Sequence, residues 1–263
     1  MKWYKFVLFK FKFDIRKIHV QRKYYDSLYK KDPIFYTSKG KIRKRMINPF
    51  NYPKTRVKFE NEIIPEKIRD ILIGSLLGDC GGEMVKKAKY PVFAFKQSVK
   101  HIDYLFYLYF IFLHWGYAHS FSVPKIRKSK DSKGNVHEYV RFRTIASPNL
   151  FKIYNLFYKE EDGKRIKIVP LNLELYLTPR ALAYWIMDDG SRTGKGLLIH
   201  TNSFTFNEVI YLIDVFKNKF NLESIPRKKY KNYIIYIKVK SMPVLVKLVK
   251  IHMHPSFMYK IGI

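Results

Sequence analysis

Cysteine is almost absent from this 263-residue chain, which carries only Cys80. An intrachain disulfide needs two thiols and a cysteine-based zinc cluster more, so both are excluded. Acids are scarce too. Against 51 Lys+Arg stand 21 Asp+Glu, a formal net charge of +30 at pH 7. Such an excess calls for a polyanionic partner, nucleic acid first and an anionic membrane surface second. Long apolar runs are also missing. The most apolar stretch, residues 102–115, contains Asp103 and His114 and is shorter than the ~20 residues of a membrane span, so it reads as a buried helix and no membrane partner is expected. The basic N-terminal stretch MKWYKFVLFKFKF has no serine before Ser27, which argues against an Arg- and Ser-rich import presequence.

What the chain does have is a core. Hydrophobic residues make up 47% and aromatic residues 17%, with 21 Tyr and 21 Phe, far from the composition of a disordered polymer. The abundance of Lys, Phe, Tyr and Ile suits an AT-rich genome such as an organelle's. Residues 1–60 are broken by Pro33, Gly40, Pro49 and Pro53 and read as a basic extension. Within it KGKIRKR (39–45) is either a phosphate-binding arm or a solvated charge run.

Beyond the extension the pattern sharpens and then repeats. PEKIRDILIGSLLGD (65–79) has apolar residues at helical spacing, followed by a strand at 91–99 and a helix at about 101–115. A hairpin, 125–129 and 136–145 around DSKGN, and a helix at 149–158 close the first unit. The second unit runs helix 178–189 with Thr178 as cap, strand 196–202, helix 205–220, hairpin 222–229 and 233–239 around KN, and helix 242–253. Two copies of one helix–strand–helix–hairpin–helix plan on a basic chain suit a duplex-sized target.

Both leading helices end on acid, LIGSLLGDC (72–80) and LAYWIMDDG (182–190). Gly74 and Gly78 lie four apart on one face, so the partner helix can approach closely. Packed side by side, the two helices would bring their carboxylates together beside two negative helix C-termini, an arrangement that a bound cation makes favourable. Hard divalent ions take carboxylate, carbonyl and water oxygens, and such a site can activate water for attack on a phosphodiester.

These paired segments resemble the motifs of the LAGLIDADG homing endonuclease and intron maturase family, single-chain two-motif type. LTPRALAYWIMDDG followed by HTNSFTFNEV is very close to the second repeat of a single-chain yeast mitochondrial intron endonuclease. The resemblance covers about residues 62–263. It implies an α+β fold of two pseudo-symmetric repeats, 61–170 and 171–263, with the motif helices at the centre and two antiparallel sheets forming a saddle over DNA. Asp79 and Asp189, at the eighth motif positions, become the metal-binding acids for Mg²⁺ or Mn²⁺, and Gly78 and Asp188 at the seventh positions join the metal set. A small residue is usual at the seventh position and a glycine at the third, where Asp188 and Tyr184 stand, and the role of Asp188 is left open. Lys167 and Lys260 match the lysines near each scissile phosphate, where a cation can stabilise the pentavalent phosphate. Gln97 and Asn202, on the strand after each motif, match residues that position solvent, although Gln97 could equally read an adenine.

The hairpins supply the DNA face. Strand alternation points His137, Tyr139, Arg141 and Arg143 one way and Val140, Phe142 and Thr144 the other. Arg227, Lys229, Lys231, Lys238 and Lys240 are the counterpart in the second repeat. GSRTGKG (190–196) falls short of a P-loop by one residue and lacks its Ser or Thr, DDGS lacks calcium-loop spacing, and His252 and His254 have no other soft ligands nearby. The expected function is a monomeric, site-specific, double-strand DNA endonuclease encoded by an intron and working in a mitochondrion. An intron RNA maturase, or an RNA-binding structural component of an organellar ribosome contacting ribosomal RNA, are the alternatives.

Overall fold

The computed structural model describes residues 63–85, 89–119, 123–132 and 134–263. The basic extension 1–60, with KGKIRKR, lies outside the described residues. In chain order the elements are α1 (Glu66–Leu77), β1 (Gly81–Glu83), β2 (Val92–Ser98), α2 (Ile102–His114), β3 (Lys125–Lys130), β4 (Val136–Arg143) and α3 (Leu150–Phe157). A short hairpin, β5 (Tyr158–Glu161) and β6 (Lys164–Lys167), and the single turn α4 (Leu173–Tyr176) lead to the second half. That half is α5 (Pro179–Asp189), β7 (Gly190–Thr193), β8 (Gly196–Ile199), α6 (Phe206–Phe220), β9 (Ser224–Lys229), β10 (Asn232–Ile237) and α7 (Met242–Val249). The chain ends in a 3₁₀ segment, Pro255–Ile261.

The two halves share one topology. Each builds a four-stranded antiparallel sheet, ordered β1-β2-β4-β3 in the first and β7-β8-β10-β9 in the second. The repeat expected from the sequence is therefore present, with one addition. A short strand follows each motif helix (β1, β7) and pairs with the next one, Gly81 opposite Ala94 and Ser191 opposite Leu198. Three or four residues containing Gly give no alternation to detect, so these strands were not legible in advance. Other boundaries also move. The second hairpin turns at Tyr230, with φ of 56°, one residue before KN, and β8 stops at Ile199 rather than reaching Asn202. The last helix ends at Val249 and gives way to a 3₁₀ turn, Lys250–His252.

Helices α1 and α5 form the centre. Every residue from Ala181 to Met187 is buried, so α5 is enclosed on all sides, as a helix apolar all round must be. The contact with α1 is close because Gly74 has no side chain. A β-carbon there would lie 2.9 Å from Tyr184 Cβ and would collide with the Ala181 carbonyl. At the start of α5, Thr178 accepts from the Ala181 N–H (3.1 Å) and donates to Asp70 Oδ2 (2.8 Å), which also meets Arg180 Nη1 at 3.1 Å. Asp70, on α1 and 1% exposed, thereby sets the register of the two helices at their N-terminal ends. The flanking layers are aromatic. Phe95 stacks on Phe142 with centroids 4.8 Å apart, and Trp185 packs on Phe216, each fully buried ring contributing about 1.5–3 kcal/mol. At α6 the Thr205–Glu208 capping box is complete, and Glu208 also accepts the Val169 N–H at 2.8 Å.

Alanine normally improves a helix interior by up to about 1 kcal/mol over glycine. At Gly74 the expected sign is reversed. Gly74→Ala lowers stability by about 1–3 kcal/mol through forced separation of the helices, measurable by urea unfolding. Gly81→Ala, where an added β-carbon meets nothing within 4 Å, serves as control and stays within about 0.5 kcal/mol of the parent.

Candidate active site at the paired helix ends

Each motif acid sits where a central helix turns into a strand. Gly78 caps α1, its N–H reaching Gly74 O (3.3 Å) and Ser75 O (3.1 Å), and Asp79 follows it, exposed. Asp189 is the last residue of α5, and its carbonyl accepts from His200 N–H at 3.1 Å, which fastens that end to the strand beyond β8. Neither helix carries a basic residue in its last turn. The negative helix ends are compensated from a distance by two lysines. Lys167 Nζ donates to Gly78 O (3.3 Å) and Cys80 O (3.1 Å), and Lys260 Nζ to Ile186 O (3.3 Å), Met187 O (2.6 Å) and Asp188 O (3.3 Å). Both lysines of the sequence reading thus arrive at the seventh-position carbonyl of their own repeat. They travel by different routes. The β5–β6 hairpin, which the sequence reading missed, delivers Lys167, while the C-terminal 3₁₀ segment delivers Lys260.

The local electrostatics are those of crowded acids. Burial, then the charges of Asp79 and Asp189, hold the Asp188 carboxyl well above the usual carboxylate range. Asp189 is pushed up to about 7 by burial and then by Asp79, with Lys167 and Lys260 opposing. Burial lowers the pKa of both lysines, and the nearby acids resist it. Burial likewise raises the Cys80 thiol, which makes it an inert packing residue. Ser75 Oγ and Trp185 Nε1, both buried, stand near Asp188 and Asp189 respectively and oppose the upward shifts of those acids, without well-aligned hydrogen bonds.

Gln97 lies on the core face of its sheet, beside Val140 in register, and opposite to the cationic face. Its Nε2 lies 3.4 Å from Asp79 Oδ2 and 3.4 Å from Asp188 Oδ1, a placement for ordering the site and not for reading bases. Asn202 is a correction. It lies exposed in the turn after β8, and the register equivalent of Gln97 is Thr201, whose hydroxyl is spent on Tyr233 O at 2.7 Å. A one-residue slip moves a strand side chain to the other face, and the strand's early end moved Asn202 off it.

The donor set suits a hard cation. Carboxylates of Asp79 and Asp189 and the carbonyls of Gly78 and Asp188 are all oxygen, as Mg²⁺ and Mn²⁺ prefer. Among the described residues no three His, Cys, Asp or Glu converge on one point, so carbonyl, water and phosphate oxygens must complete any shell. GSRTGKG forms the β7–β8 turn, with Gly194 at φ of 55°, and not a loop opening a helix.

The exposed sheet faces divide the expected DNA-contact residues. In the first sheet the alternation holds. Val140, Phe142 and Thr144 are buried, while Lys96, Arg141 and Lys125 form one lateral row and Tyr139 and Arg127 the next. Lys96 lies 4.3 Å over the Tyr139 ring, His137 meets Asp131 at 3.0 Å, and Arg143 pairs with Glu83 at 2.7 Å. In the second sheet Arg227 lies 3.5 Å over the Tyr236 ring and Lys229 Nζ 3.4 Å from His200 Nδ1, with Lys231 exposed in the turn. Lys238 and Lys240 fall past the end of β10 and both pair with Glu223, at 3.4 and 2.6 Å, as Arg143 pairs with Glu83, while the Lys238 N–H continues the ladder to Glu223 O at 2.9 Å. His200, whose Nε2 meets Ser191 Oγ at 3.0 Å, and Tyr104, whose hydroxyl lies 3.5 Å from Asp188 Oδ1, belong to the site and were missed. Tyr104 sits inside an apolar helical run that reads as core, and no local pattern separates it from its neighbours.

Comparison with known proteins places this architecture. Residues 69–245, more than half of the chain, match the LAGLIDADG DNA endonuclease family. The chain is 39% identical over 200 residues to the cytochrome b mRNA maturase bI2 of Saccharomyces cerevisiae, covering 74% of this chain and 47% of that one. It therefore spans about half the length of that relative. Against the bI2 maturase of Debaryomyces hansenii the identity is 34% over 204 residues, 77% of this chain and 76% of that one. The intron-encoded endonuclease ai4 of Dictyostelium discoideum is 39% identical over 144 residues, 54% and 87% of the two chains. Among solved structures, the homing endonuclease I-WcaI bound to its DNA recognition sequence shares 27% identity and superimposes with a TM-score of 0.69, covering 83% of this chain and 96% of the other. The chain belongs to the LAGLIDADG DNA endonuclease family.

Proposed function

We propose that this protein is a site-specific double-strand DNA endonuclease of intron origin that hydrolyses phosphodiesters with Mg²⁺ or Mn²⁺, acting as a monomer in a mitochondrion. The observation that carries the reading is the convergence, at one end of the α1–α5 pair, of an acid and a lysine from each half of the chain. Repeats 61–170 and 171–263 each serve one strand. Asp79 and Asp189 would hold the metal, with the Gly78 and Asp188 carbonyls beside them, and the bound metal would polarise the phosphate and lower the pKa of a water. Lys167 and Lys260 keep their ammonium groups beside the acids, placed to stabilise charge on the phosphate under attack. The cationic rows of the two sheets face the DNA backbone. Arg143 can exchange Glu83 for a phosphate at little cost, since exposed pairs contribute about 0–1 kcal/mol.

Intron RNA maturation is the second reading, favoured by the two relatives named as cytochrome b mRNA maturases. The same basic surface would bind RNA, and splicing assistance would not need the carboxylates. The ribosomal reading rests on residues 1–60 alone, which lie outside the described residues.

Asp79→Asn and Asp189→Asn are each expected to lower double-strand cleavage of the intron-insertion site at least ~100-fold while leaving duplex affinity within a few-fold of the parent. Supercoiled-plasmid linearisation with Mg²⁺ and gel-shift binding measure the two. If both variants cut like the parent, the carboxylates do not do the chemistry. If purified protein instead stimulates splicing of its host intron with the aspartates removed, the maturase reading is the right one.

Metal and protons are expected to compete. The folded-state pKa of Asp189 is raised from 3.8 to about 7, so the folded chain favours the protonated acid. The associated stability is present below pH 3.8 and is lost as the pH rises from there to about 7. Without metal, this group therefore lowers the melting temperature between pH 5 and pH 8. Millimolar Mg²⁺ relieves the repulsion, so the rise in melting temperature on adding it is larger at pH 8 than at pH 5. An equal rise at both pH values would place the metal elsewhere.

A further inference from the structure

The side chain of Asp188 leaves its own repeat. A β-carbon on Gly78 would lie 2.6 Å from Asp188 Cβ, so the missing side chain of one seventh-position residue makes room for the other. Among the described residues, the side chains at hydrogen-bond distance from the Asp188 carboxylate come from the first repeat, while Lys260 and Asp189 of its own repeat act on it through charge. Gln97 Nε2 is 3.4 Å from Oδ1 and the Tyr104 hydroxyl 3.5 Å from it, while the Ser75 hydroxyl, fully buried on α1, stands near it without a well-aligned hydrogen bond. Gln97 reaches Asp79 at the same distance, so one amide bridges the two acids. Between them lies a small cavity of about 10 Å³, about the room one water needs, lined by Asp79, Gln97 and Asp188 together with Cys80, Phe95, Lys96 and Leu108. The second half-site has nothing to match. There the corresponding residue is Gly78, and the Gln97 equivalent, Thr201, is turned into a backbone hydrogen bond.

We propose that Asp188, carried by the second repeat, serves the first half-site, its carboxylate joining Asp79 as the second acidic ligand of one divalent cation. Rotation of the Gln97 amide presents its oxygen to the same point, which gives three side-chain oxygens without any change of fold. A carboxylate ordered by the cation then gives the buried Ser75 hydroxyl a well-aligned acceptor. The two half-sites are therefore unequal. The one with Asp79, Asp188 and Gln97 holds its cation more tightly, and its strand is cut first. This rests on the endonuclease reading above.

The test uses the full chain and two readouts. Mn²⁺ titration of the DNA-free protein, followed by electron paramagnetic resonance, is expected to show one tighter site that weakens about ten-fold or more in Asp188→Asn, as it does in Asp79→Asn. End-labelled target duplex is expected to show Asp188→Asn slowing the strand slowed by Asp79→Asn and sparing the strand slowed by Asp189→Asn. Asp188→Gly, which restores a small residue opposite Gly78, repeats both results and guards against a folding defect of the Asn variant. Unchanged Mn²⁺ affinity, or slowing of the Asp189 strand, overturns the proposal while leaving the nuclease intact. A parent that binds no Mn²⁺ and cuts no DNA overturns the endonuclease reading and this proposal together.

Discussion

The close contact between α1 and α5 at Gly74 is the constraint from which the rest of the structure follows. It brings two helix C-termini to one place, and with them three carboxylates, of which Asp188 and Asp189 are pushed toward protonation by burial first and by their neighbours' charge second. At that end, among the described residues, only the Lys167 and Lys260 ammonium groups oppose the crowding of negative charge. The arrangement is held from the other end, where Asp70 ties Thr178 and Arg180 to α1, and from the sides, where buried aromatic layers press the pair together. Breaking a buried charge network such as that of Asp70 costs several kcal/mol, enough to maintain an unfavourable cluster elsewhere. A site poised to take a cation is strained without one.

The lysines refine this balance. An ammonium on the carbonyls of a helix C-terminus offsets the dipole, yet Lys167 and Lys260 are themselves half-buried or buried and their charge is costly there. Acids and lysines each make the other tolerable. Lys260 spends all three N–H groups on α5 carbonyls, whereas Lys167 makes two bonds, to the Gly78 and Cys80 carbonyls just past α1, and is the less enclosed of the two. Two repeats of the same topology thus arrive at unequal chemistry.

Much of this was legible in the sequence because it is local. Helical spacing in 65–79 and 178–189, Thr178 and Thr205 as caps, and the alternation of 136–143 follow from rules that act within a few residues. The acids and both lysines were legible only through the family resemblance, since in a chain with 51 Lys+Arg no lysine distinguishes itself. The failures are also physical. Strands β1 and β7 are too short for a period, and the β5–β6 hairpin, KEEDGKRIK, is charged throughout and has no buried face to produce one. β10 ends at Ile237, one residue before Lys238, and the Glu223 that pairs with both Lys238 and Lys240 was not legible as their partner. Asn202 and Thr201 differ by one position, and only the register of β8 against β10 separates them.

Asp188 shows how a departure from a motif is absorbed. At matching positions the first motif has Gly74 and Gly78 and the second Tyr184 and Asp188, and the structure sets each small residue against a large one across the helix pair. The sum of volumes is conserved while the symmetry is not. A pair of glycines at both levels would leave voids at the centre, each costing stability through lost contacts. Large residues at both levels would force the helices apart and separate the acids. In this chain the mixed pairing keeps the backbones close and fills the interface at both levels. A symmetric pair of helices cannot satisfy both conditions with any side chain larger than a methyl group at these levels. Fusing the two repeats into one chain removes the requirement that both copies be identical, so one seventh position can carry a carboxylate and the other nothing. The same freedom lets the sheets differ, with Lys96 over Tyr139 in one and Arg227 over Tyr236 in the other.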